Sequence, residues 1–370
     1  MQNRIKKTKN QPLNLVKGNE AIAMGAIDAG CRFYFGYPIT PQNEIIEFMA
    51  ANMAKAGGRF IQSESELAAI NMVMGAGAAG GRVMTSSSGL GLSLMQEGIS
   101  YMAGMRIPGL IVNVVRGGPG LGNISAAQSD YFQATRGGGH GDYRTPVFAP
   151  ASVQETYLIP FTAFEWAEKY RTPVIVLSDA ILGQMAEPMA RLKSKDRVEN
   201  PPKAWALTGC KKRSPNVLKS LYLGKGELEK RNQILFDTYK EMAENVLYEE
   251  VEIKDAEIIM VAYGAVSRIC RNALRILRDE HGIKVGLMRP ITLYPYPSEV
   301  IAGYAKKKKV KKILVSEMST GQMWDDVRLA NKGRLPLEFY GRTGGEVPLV
   351  KDVVDWVLTG EVKNGFYQTD

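Results

Sequence analysis

GLIVNVVRGG, residues 109–118, predicts a β-strand that is buried on both faces. Its apolar run LIVNVV does not alternate with charged residues, as it would in a strand with one face in water. Strands of this kind belong to parallel sheets that helices cover on both sides. The run therefore predicts an α/β fold, in which ligands bind beyond the carboxyl ends of the strands.

The alternation of strands and helices continues on both sides of this run. Four further strands are predicted within residues 14–190, namely CRFYFGYP, RFIQ, RVMTSSS and TPVIVLSD. Residues 191–255 lose the alternation and gain charge and proline, which is typical of an extended connector followed by a helix. The α/β pattern returns over residues 256–362, so the sequence predicts a second, smaller domain there.

The composition is that of a globular protein with 370 residues and 45% hydrophobic content. No run approaches the ~20 apolar residues of a membrane span, and the polar start lacks the apolar core of a signal peptide. We therefore expect a cytoplasmic protein without a membrane span. Cys31, Cys210 and Cys270 lie far apart, which argues against a disulfide framework or an iron–sulfur cluster held by this chain alone.

The formal charge of +9 is spread over separate clusters, of which KKKKVKK at residues 306–312 is the longest. Lysines that follow a helix suit the negative end of its dipole, so a solvated helix end explains this cluster. An acidic protein partner or an anionic cofactor explains the balance equally well. A nucleic-acid-binding or scaffolding subunit is a weaker alternative, because no zinc-finger or RNA-binding motif accompanies the charge.

Two short segments predict helix starts. In FGYPITPQNE, residues 35–44, Thr40 lies between two prolines and is predicted as the N-cap of a helix that begins at Pro41. In QSESEL, residues 62–67, Ser63 and Glu66 fit a capping box. That box leaves Glu64 over, so Glu64 is a catalytic carboxylate, a partner of the helix dipole or a solvated charge.

Three loops carry further candidates for chemistry. TSSSGLGLSL, residues 85–94, is a turn rich in hydroxyls and glycine between a strand and a helix, and it suits ligand approach. Arg116 follows a strand and precedes a glycine-rich loop, where it could clamp a carboxylate or form a structural ion pair. His140 lies in a glycine loop, and no catalytic or metal-binding set can be assembled around it.

Several longer motifs resemble those of a known family in their residues and in their order along the chain. They are KGNEAIAMGAIDAGCRFYFGYPITP, QSESELAAINMVMGAGAAGGRVMTSSSG, VNVVRGGPGLGN, GGGHGDYRTPVFAPASVQE and VSEMSTGQM. Over about residues 14–345 the chain resembles the α subunit of 2-oxoacid:ferredoxin oxidoreductases. In FGYPITPQNEI and QSDYFQATRGGGHGDYR it is most similar to the 2-oxoisovalerate branch.

This resemblance implies a pyrimidine-type thiamine-diphosphate-binding domain followed by a domain like the transketolase C-terminal one. It also implies that a β subunit holds the diphosphate through Mg²⁺, because the G-D-G motif with a following Asn is absent from GHGDYR. The 4Fe-4S clusters would lie on γ-type and ferredoxin-like subunits. Coenzyme A would be the co-substrate and ferredoxin the electron acceptor, and this chain alone would be inactive and hold no metal.

The resemblance also assigns roles to single residues. Glu64 is similar to the glutamate that bonds the pyrimidine nitrogen and thereby assists deprotonation of the thiazolium carbon. Thr40 and Arg116 are similar to the residues that hold the substrate carboxylate. The remaining residues expected to face the cofactor are Tyr37, Pro38, Ser87, Ser88 and Gly89. Glu317 and Gln322 are expected to serve packing or subunit contacts.

The predicted activity is oxidative decarboxylation of a branched-chain 2-oxo acid to an acyl-CoA and CO₂. Two alternatives stay open on the sequence. The same mechanism could act on 2-oxoglutarate or pyruvate, or the chain could belong to a non-oxidative thiamine diphosphate enzyme. Dependence on redox partners and on coenzyme A separates the last alternative from the others.

Overall fold

The computed structural model describes residues 4, 7–8, 11–193, 196–198 and 200–370. The strands of this part of the chain are β1 (Leu13–Lys17), β2 (Phe33–Gly36), β3 (Arg59–Gln62), β4 (Val83–Ser87), β5 (Gly109–Val115), β6 (Val147–Phe148), β7 (Pro173–Asp179), β8 (Ala186–Ala190), β9 (Tyr248–Val251), β10 (Ile258–Val261), β11 (Val285–Pro290), β12 (Thr292–Tyr294), β13 (Lys312–Glu317), β14 (Leu337–Gly341) and β15 (Phe366–Thr369).

Helices connect most of these strands. The helices are α1 (Gly18–Asp28), α2 (Asn43–Asn52), α3 (Glu66–Ala78), α4 (Leu90–Met105), α5 (Tyr131–Thr135), α6 (Val153–Tyr170), α7 (Ala180–Gln184), α8 (Glu227–Ala243), α9 (Gly264–Asp279), α10 (Ser298–Tyr304), α11 (Gln322–Asn331) and α12 (Val350–Thr359). The α/β fold class is thereby confirmed.

A seven-stranded sheet forms the first domain, in the order β12-β6-β7-β5-β4-β2-β3. Its strands are parallel except for β12, which pairs antiparallel with β6. All residues of β5 are buried, in agreement with the apolar run that predicted it. The edge strand β12 comes from beyond the connector, so the second half of the chain completes the first sheet.

The second domain contains a six-stranded sheet in the order β15-β14-β13-β10-β11-β9. Its four inner strands are parallel, and β9 and β15 are antiparallel edges. The strand β9 lies within residues 191–255, so the second sheet draws on the stretch that the sequence assigns to the connector. A separate antiparallel pair, β1 with β8, brings the two ends of the first domain together.

The hydrophobic core lies on both faces of the two sheets. One buried cluster, which includes Tyr34, Met84 and Phe161, packs against one face of the first sheet. Another runs without a break from Ile111 in the first domain to Val315 in the second. The two domains therefore share a core, and this shared core fixes their relative position.

Both predicted helix caps differ from the structure. The helix α2 begins at Asn43 rather than Pro41, because a turn from Ile39 to Gln42, closed by the Gln42 amide, precedes it. Thr40 is therefore not its N-cap. Helix α3 is capped by Ser65, whose hydroxyl accepts a hydrogen bond from the Ala68 amide, and not by Ser63.

Candidate active site

The predicted site residues gather at the carboxyl ends of β2, β3, β4 and β5. Because these strands are parallel neighbours, the loops that follow them meet at one edge of the sheet. The loop after β2 carries Thr40, and the loop after β5 begins with Arg116. The turn Ser88–Gly89 leads from β4 into α4.

Arg116 and Thr40 are in direct contact. The Arg116 guanidinium is buried and donates through Nη1 to the Thr40 carbonyl at 3.0 Å and through Nη2 to the Leu121 carbonyl at 3.2 Å. Within the described ranges, no carboxylate forms an ion pair with Arg116. A buried cation whose partners are only two neutral carbonyls can accept an anionic ligand.

The Thr40 side chain and its neighbours are open to solvent. Thr40, Tyr37 and Pro38 are all exposed, although they lie in the loop that follows the largely buried strand β2. Thr40 lines a cavity of about 440 Å³ together with Glu44 and Gln184. Arg116 lines a different, adjacent cavity of about 370 Å³, so Thr40 approaches Arg116 through its carbonyl rather than through a shared cavity.

The cavity at Arg116 combines opposite charges. Its wall includes Arg116, Gly89, Leu90 and Asp130. Burial raises the pKa of Asp130. The hydrogen bond that the Asn113 side chain donates to Asp130 at 2.9 Å acts in the opposite direction and lowers this pKa, but burial is the larger effect. Gly89 has a positive φ of 46°, and a Cβ there would meet only Arg116 Cγ, at 3.8 Å. Gly89 thus permits the sharp turn that starts α4 beside Arg116.

The two glutamates of the QSESEL segment lie in opposite environments. Glu66 is buried, 5% exposed, and its Oε1 is 3.4 Å from Ser87 Oγ, which donates to it. Gly91, in the first turn of α4, leaves room for this carboxylate, since a Cβ there would lie 2.5 Å from Glu66 Oε1. Glu64, two residues earlier, is exposed. The capping box would have kept Glu66 at the helix surface, so the structure overturns that interpretation.

Some hydroxyls of the TSSSG turn have hydrogen-bond partners and others have none among the described residues. Ser86 Oγ accepts from Tyr34 OH and donates to Gln42 Oε1, both at 2.6 Å, in a buried network. Ser88 is fully buried, and its Oγ has no hydrogen-bond partner among the described residues. A buried hydroxyl without a partner carries a desolvation cost that a bound ligand can relieve.

Sequence reasoning missed Glu66 and Asp130 as members of this edge. For Glu66 the S-x-x-E pattern offered a sufficient local explanation, and only the tertiary fold shows its burial. Asp130 occurs in the stretch QSDYF, which carries no local pattern that indicates an acidic group at this edge. His140, by contrast, is exposed and does not join these residues. Within the described ranges, no group of three or more His, Cys, Asp or Glu side chains could hold a metal ion.

Two family models match the chain in tandem and cover most of it. Residues 24–252 match the thiamine-diphosphate-binding domain of pyruvate flavodoxin/ferredoxin oxidoreductases. Residues 256–353 match core domain II of pyruvate:ferredoxin oxidoreductase. The chain therefore belongs to the 2-oxoacid:ferredoxin oxidoreductase family, as one of its subunits. The resemblance stated from the sequence is confirmed.

Named relatives lie on two branches of this family. The chain is 50% identical to the ketoisovalerate oxidoreductase subunit VorB of Methanothermobacter thermautotrophicus, over 92% of this chain and 96% of that one. It is 36% identical to the 2-oxoglutarate synthase subunit KorA of Methanocaldococcus jannaschii, over 90% of this chain and 96% of that one. The similarity is thus greater to the ketoisovalerate relative.

A solved structure shares the architecture. A 2-oxoglutarate:ferredoxin oxidoreductase from Magnetococcus marinus, with 2-oxoglutarate, coenzyme A and succinyl-CoA bound, matches 94% of this chain with a TM-score of 0.86 and 28% identity. This chain spans 65% of the length of that one. A split-gene transketolase matches 93% of this chain and 98% of its own with a TM-score of 0.55 and 13% identity, which shows the fold alone. Within the described ranges, none of the helices is long and apolar enough to span a membrane.

Proposed function

We propose that this chain belongs to an enzyme that oxidatively decarboxylates a branched-chain 2-oxo acid to an acyl-CoA and CO₂ and passes the electrons to ferredoxin. The observation that carries the proposal is the buried Arg116 guanidinium, which lies at the carboxyl edge of the sheet without an ionic partner among the described residues. A 2-oxo acid supplies the carboxylate that such a cation binds. The 50% identity to a ketoisovalerate oxidoreductase subunit supports the branched acid.

In this proposal the substrate carboxylate binds the Arg116 guanidinium in the cavity of about 370 Å³, and Thr40 orients that guanidinium through its carbonyl. The contact of Arg116 Nη1 with the Thr40 carbonyl, at 3.0 Å, supports it because it holds the two residues together before substrate arrives. Orientation of this kind matters because small misplacements of reacting groups can cost ~10²-fold in rate. Gly89 would let the start of α4 approach the bound carboxylate closely.

The residues at this edge fit the aminopyrimidine end of thiamine diphosphate. The unpartnered hydroxyl of Ser88 and the carboxylate of Glu66, with Ser87, offer acceptors and donors to ring nitrogens and an amino group. Tyr37, Pro38 and Gly89 would border the ring. When bound, the cofactor supplies a carbon nucleophile for decarboxylation. This chain's part is to orient the ring, exclude water and hold a proton at one carboxylate.

Two glutamates are candidates for the carboxylate that holds this proton. The sequence resemblance assigns the role to Glu64, whose exposed side chain would become buried only under a partner subunit. The geometry favours Glu66, which is already buried and touches the cofactor-facing Ser87. A carboxylate in a water-poor site shares a proton with a ring nitrogen more strongly than a solvated one does. We therefore propose Glu66 as the first candidate and retain Glu64 as the second.

The remaining machinery is assigned to partner subunits. A β subunit would hold the diphosphate through Mg²⁺, and γ-type and ferredoxin-like subunits would hold the 4Fe-4S clusters. Support comes from the exposed large apolar side chains on the elements that carry the site, which are Tyr37, Leu67, Met72, Leu90, Leu94, Tyr101, Leu121 and Ile124. Exposed apolar surface of this kind marks protein interfaces. We place the complex in the cytoplasm, as the free cysteines suggest.

A second substrate is supported by a specific observation. The identity of 36% to a 2-oxoglutarate synthase subunit keeps 2-oxoglutarate as an alternative acid, with pyruvate as a third. A non-oxidative thiamine diphosphate enzyme has less support, because the transketolase likeness concerns the fold alone.

The test is coenzyme A-dependent reduction of a viologen dye by the complex purified through a tag on this chain. The substrates compared are 2-oxoisovalerate, 2-oxoglutarate and pyruvate. We expect the highest kcat/KM with 2-oxoisovalerate. A preference for another acid would keep the reaction type and change the substrate. Absence of reduction with all three, in a complex with intact clusters and added cofactor, would contradict the oxidative function.

A further inference from the structure

The loop that follows Arg116 is fastened to the second domain as well as to its own. Gln128 is 1% exposed, and its backbone and side-chain polar atoms all bond across the domain boundary. Its backbone amide donates to the Met318 carbonyl at 2.8 Å, and its Oε1 accepts from the Met318 amide at 2.9 Å. Its Nε2 donates to the Tyr263 carbonyl at 3.0 Å, and its carbonyl accepts from Tyr263 OH at 3.2 Å.

A second fastening point comes from the start of α11. Gln322 Nε2 donates to the Ser129 carbonyl at 2.6 Å, and Gln322 Oε1 accepts from the Phe132 amide at 2.7 Å. One helical turn further on, Asp326 accepts from Tyr131 OH at 2.6 Å. A single helix of the second domain thus holds Ser129 at the end of the loop and Tyr131 and Phe132 at the start of α5.

These anchors enclose the residues that form the cavity at Arg116. Asp130, which lines that cavity, lies between the anchored Ser129 and Tyr131, and Gln133, which also lines it, follows the anchored Phe132. At the other end of the loop, Arg116 and Ala126 form a β-bridge two residues before Gln128. The first domain also holds this wall, because Asn113 donates to Asp130 at 2.9 Å and Gln133 donates to Ser93 Oγ at 3.0 Å. The position of the cavity walls therefore depends on both domains.

We propose that Gln128 and Gln322 are positioning residues for the 2-oxo acid: they hold the loop 116–133 so that Arg116 and Asp130 face the substrate from fixed places. The inference rests on the proposed role of Arg116. It gives the second domain a task in substrate binding, in place of packing or subunit contact alone. Neither glutamine touches the cavity, so each acts through the loop.

The test uses the intact complex with Gln322→Met. Methionine has nearly the length and volume of glutamine but cannot make either hydrogen bond. We expect the KM for the 2-oxo acid to rise about 10-fold or more, since the clamp loses alignment. The KM for coenzyme A should change less than about twofold, because the proposal places only the 2-oxo acid on Arg116. Gln128→Met should act in the same direction and more strongly, because the two hydrogen bonds that it removes are buried, whereas those of Gln322 are partly buried.

Arg268→Ala is the matched control. Arg268 also crosses between the domains, where it bonds to the Ala151 carbonyl and to Glu187, but it touches no part of the loop. A variant that merely loosens the domains should behave like Arg268→Ala. We expect Arg268→Ala to lower the thermal midpoint and leave the KM for the 2-oxo acid unchanged. Equal KM increases for Arg268→Ala and Gln322→Met would overturn the proposal.

The exposed Asn123 keeps the test available if Gln322→Met does not assemble. Asn123 Nδ2 donates to the Gly344 carbonyl at 2.7 Å, so Asn123→Ala releases the same loop at a surface position. A KM for the 2-oxo acid that stays within about twofold of wild type in both Gln128→Met and Asn123→Ala, in a complex where Arg116→Ala raises it, would refute the inference and leave the proposed function standing. A wild-type complex without 2-oxo acid activity would instead refute the function.

Discussion

At the scale of single residues, Glu66 and Glu64 make a decisive pair, because they lie two positions apart and differ in burial. We expect Glu66→Gln to lower turnover ~10²-fold or more, by the usual size of proton-transfer assistance, and Glu64→Gln to lower it far less. The two variants are each other's control for assembly and charge. Turnover of the purified complexes at saturating substrate is the measurement. A dead Glu64→Gln complex beside an active Glu66→Gln complex would return the role to Glu64.

Arg116 carries the carboxylate clamp, and its loss should affect binding more than turnover. We expect Arg116→Ala to raise the KM for the 2-oxo acid ~10- to 100-fold, since a hydrogen bond to a charged group contributes ~1.5–3 kcal/mol. Steady-state kinetics with a fixed coenzyme A concentration measure it. The exposed Arg275 on α9 supplies the control variant Arg275→Ala. Unchanged substrate dependence in Arg116→Ala would exclude the clamp.

At the scale of elements, β13 ends in a buried acid that makes stability depend on pH. Glu317 accepts hydrogen bonds from the Met323 and Trp324 amides at the start of α11 and from the Ser319 hydroxyl. Burial nonetheless raises the pKa of Glu317 to about 7, from an ordinary value of 4.5. The folded chain therefore keeps a proton that the unfolded chain releases between these values. Stability falls as the pH rises through this window.

The corresponding experiment follows the urea midpoint of the complex from about pH 4.5 to about pH 8 for wild type and Glu317→Gln. We expect the variant to lose part of the decline between about pH 4.5 and pH 7, because its side chain does not titrate. The exposed Glu361 provides the control, Glu361→Gln, which should keep the wild-type slope. Identical slopes in all three proteins would contradict the assignment to Glu317.

Elements with a strong pattern of their own were predictable from the sequence, and elements defined by a distant partner were not. The strands β5 and β7 are continuous apolar runs, and both were expected where they lie. The pair β1 with β8 joins segments about 170 residues apart, and neither segment alternates clearly. The same holds for the site. Arg116 was predictable at a strand end, whereas the burial of Glu66 depends on Ser87 and Gly91 from other elements.

At the scale of the whole molecule, the exposed apolar residues around the site predict that this chain works only in a complex. We expect the isolated chain to show no viologen reduction with any 2-oxo acid and to gain activity when the partner subunits are added. Titration of the chain against the other subunits, with activity as the readout, measures this gain. Viologen reduction by the chain alone, free of iron–sulfur protein, would contradict the assignment of the diphosphate site and the clusters to partner subunits.

The strand β12 has a consequence for how this polypeptide can be divided. It is encoded after the connector but closes the edge of the first sheet beside Val147 and Phe148 of β6. A fragment that stops at residue 255 would leave that edge unpaired and prone to pair with another molecule. Two fragments produced together and divided within the connector would retain the missing strand and could reassemble without a covalent link. Division of the chain within the connector is therefore compatible with a complete first sheet only when both fragments are present.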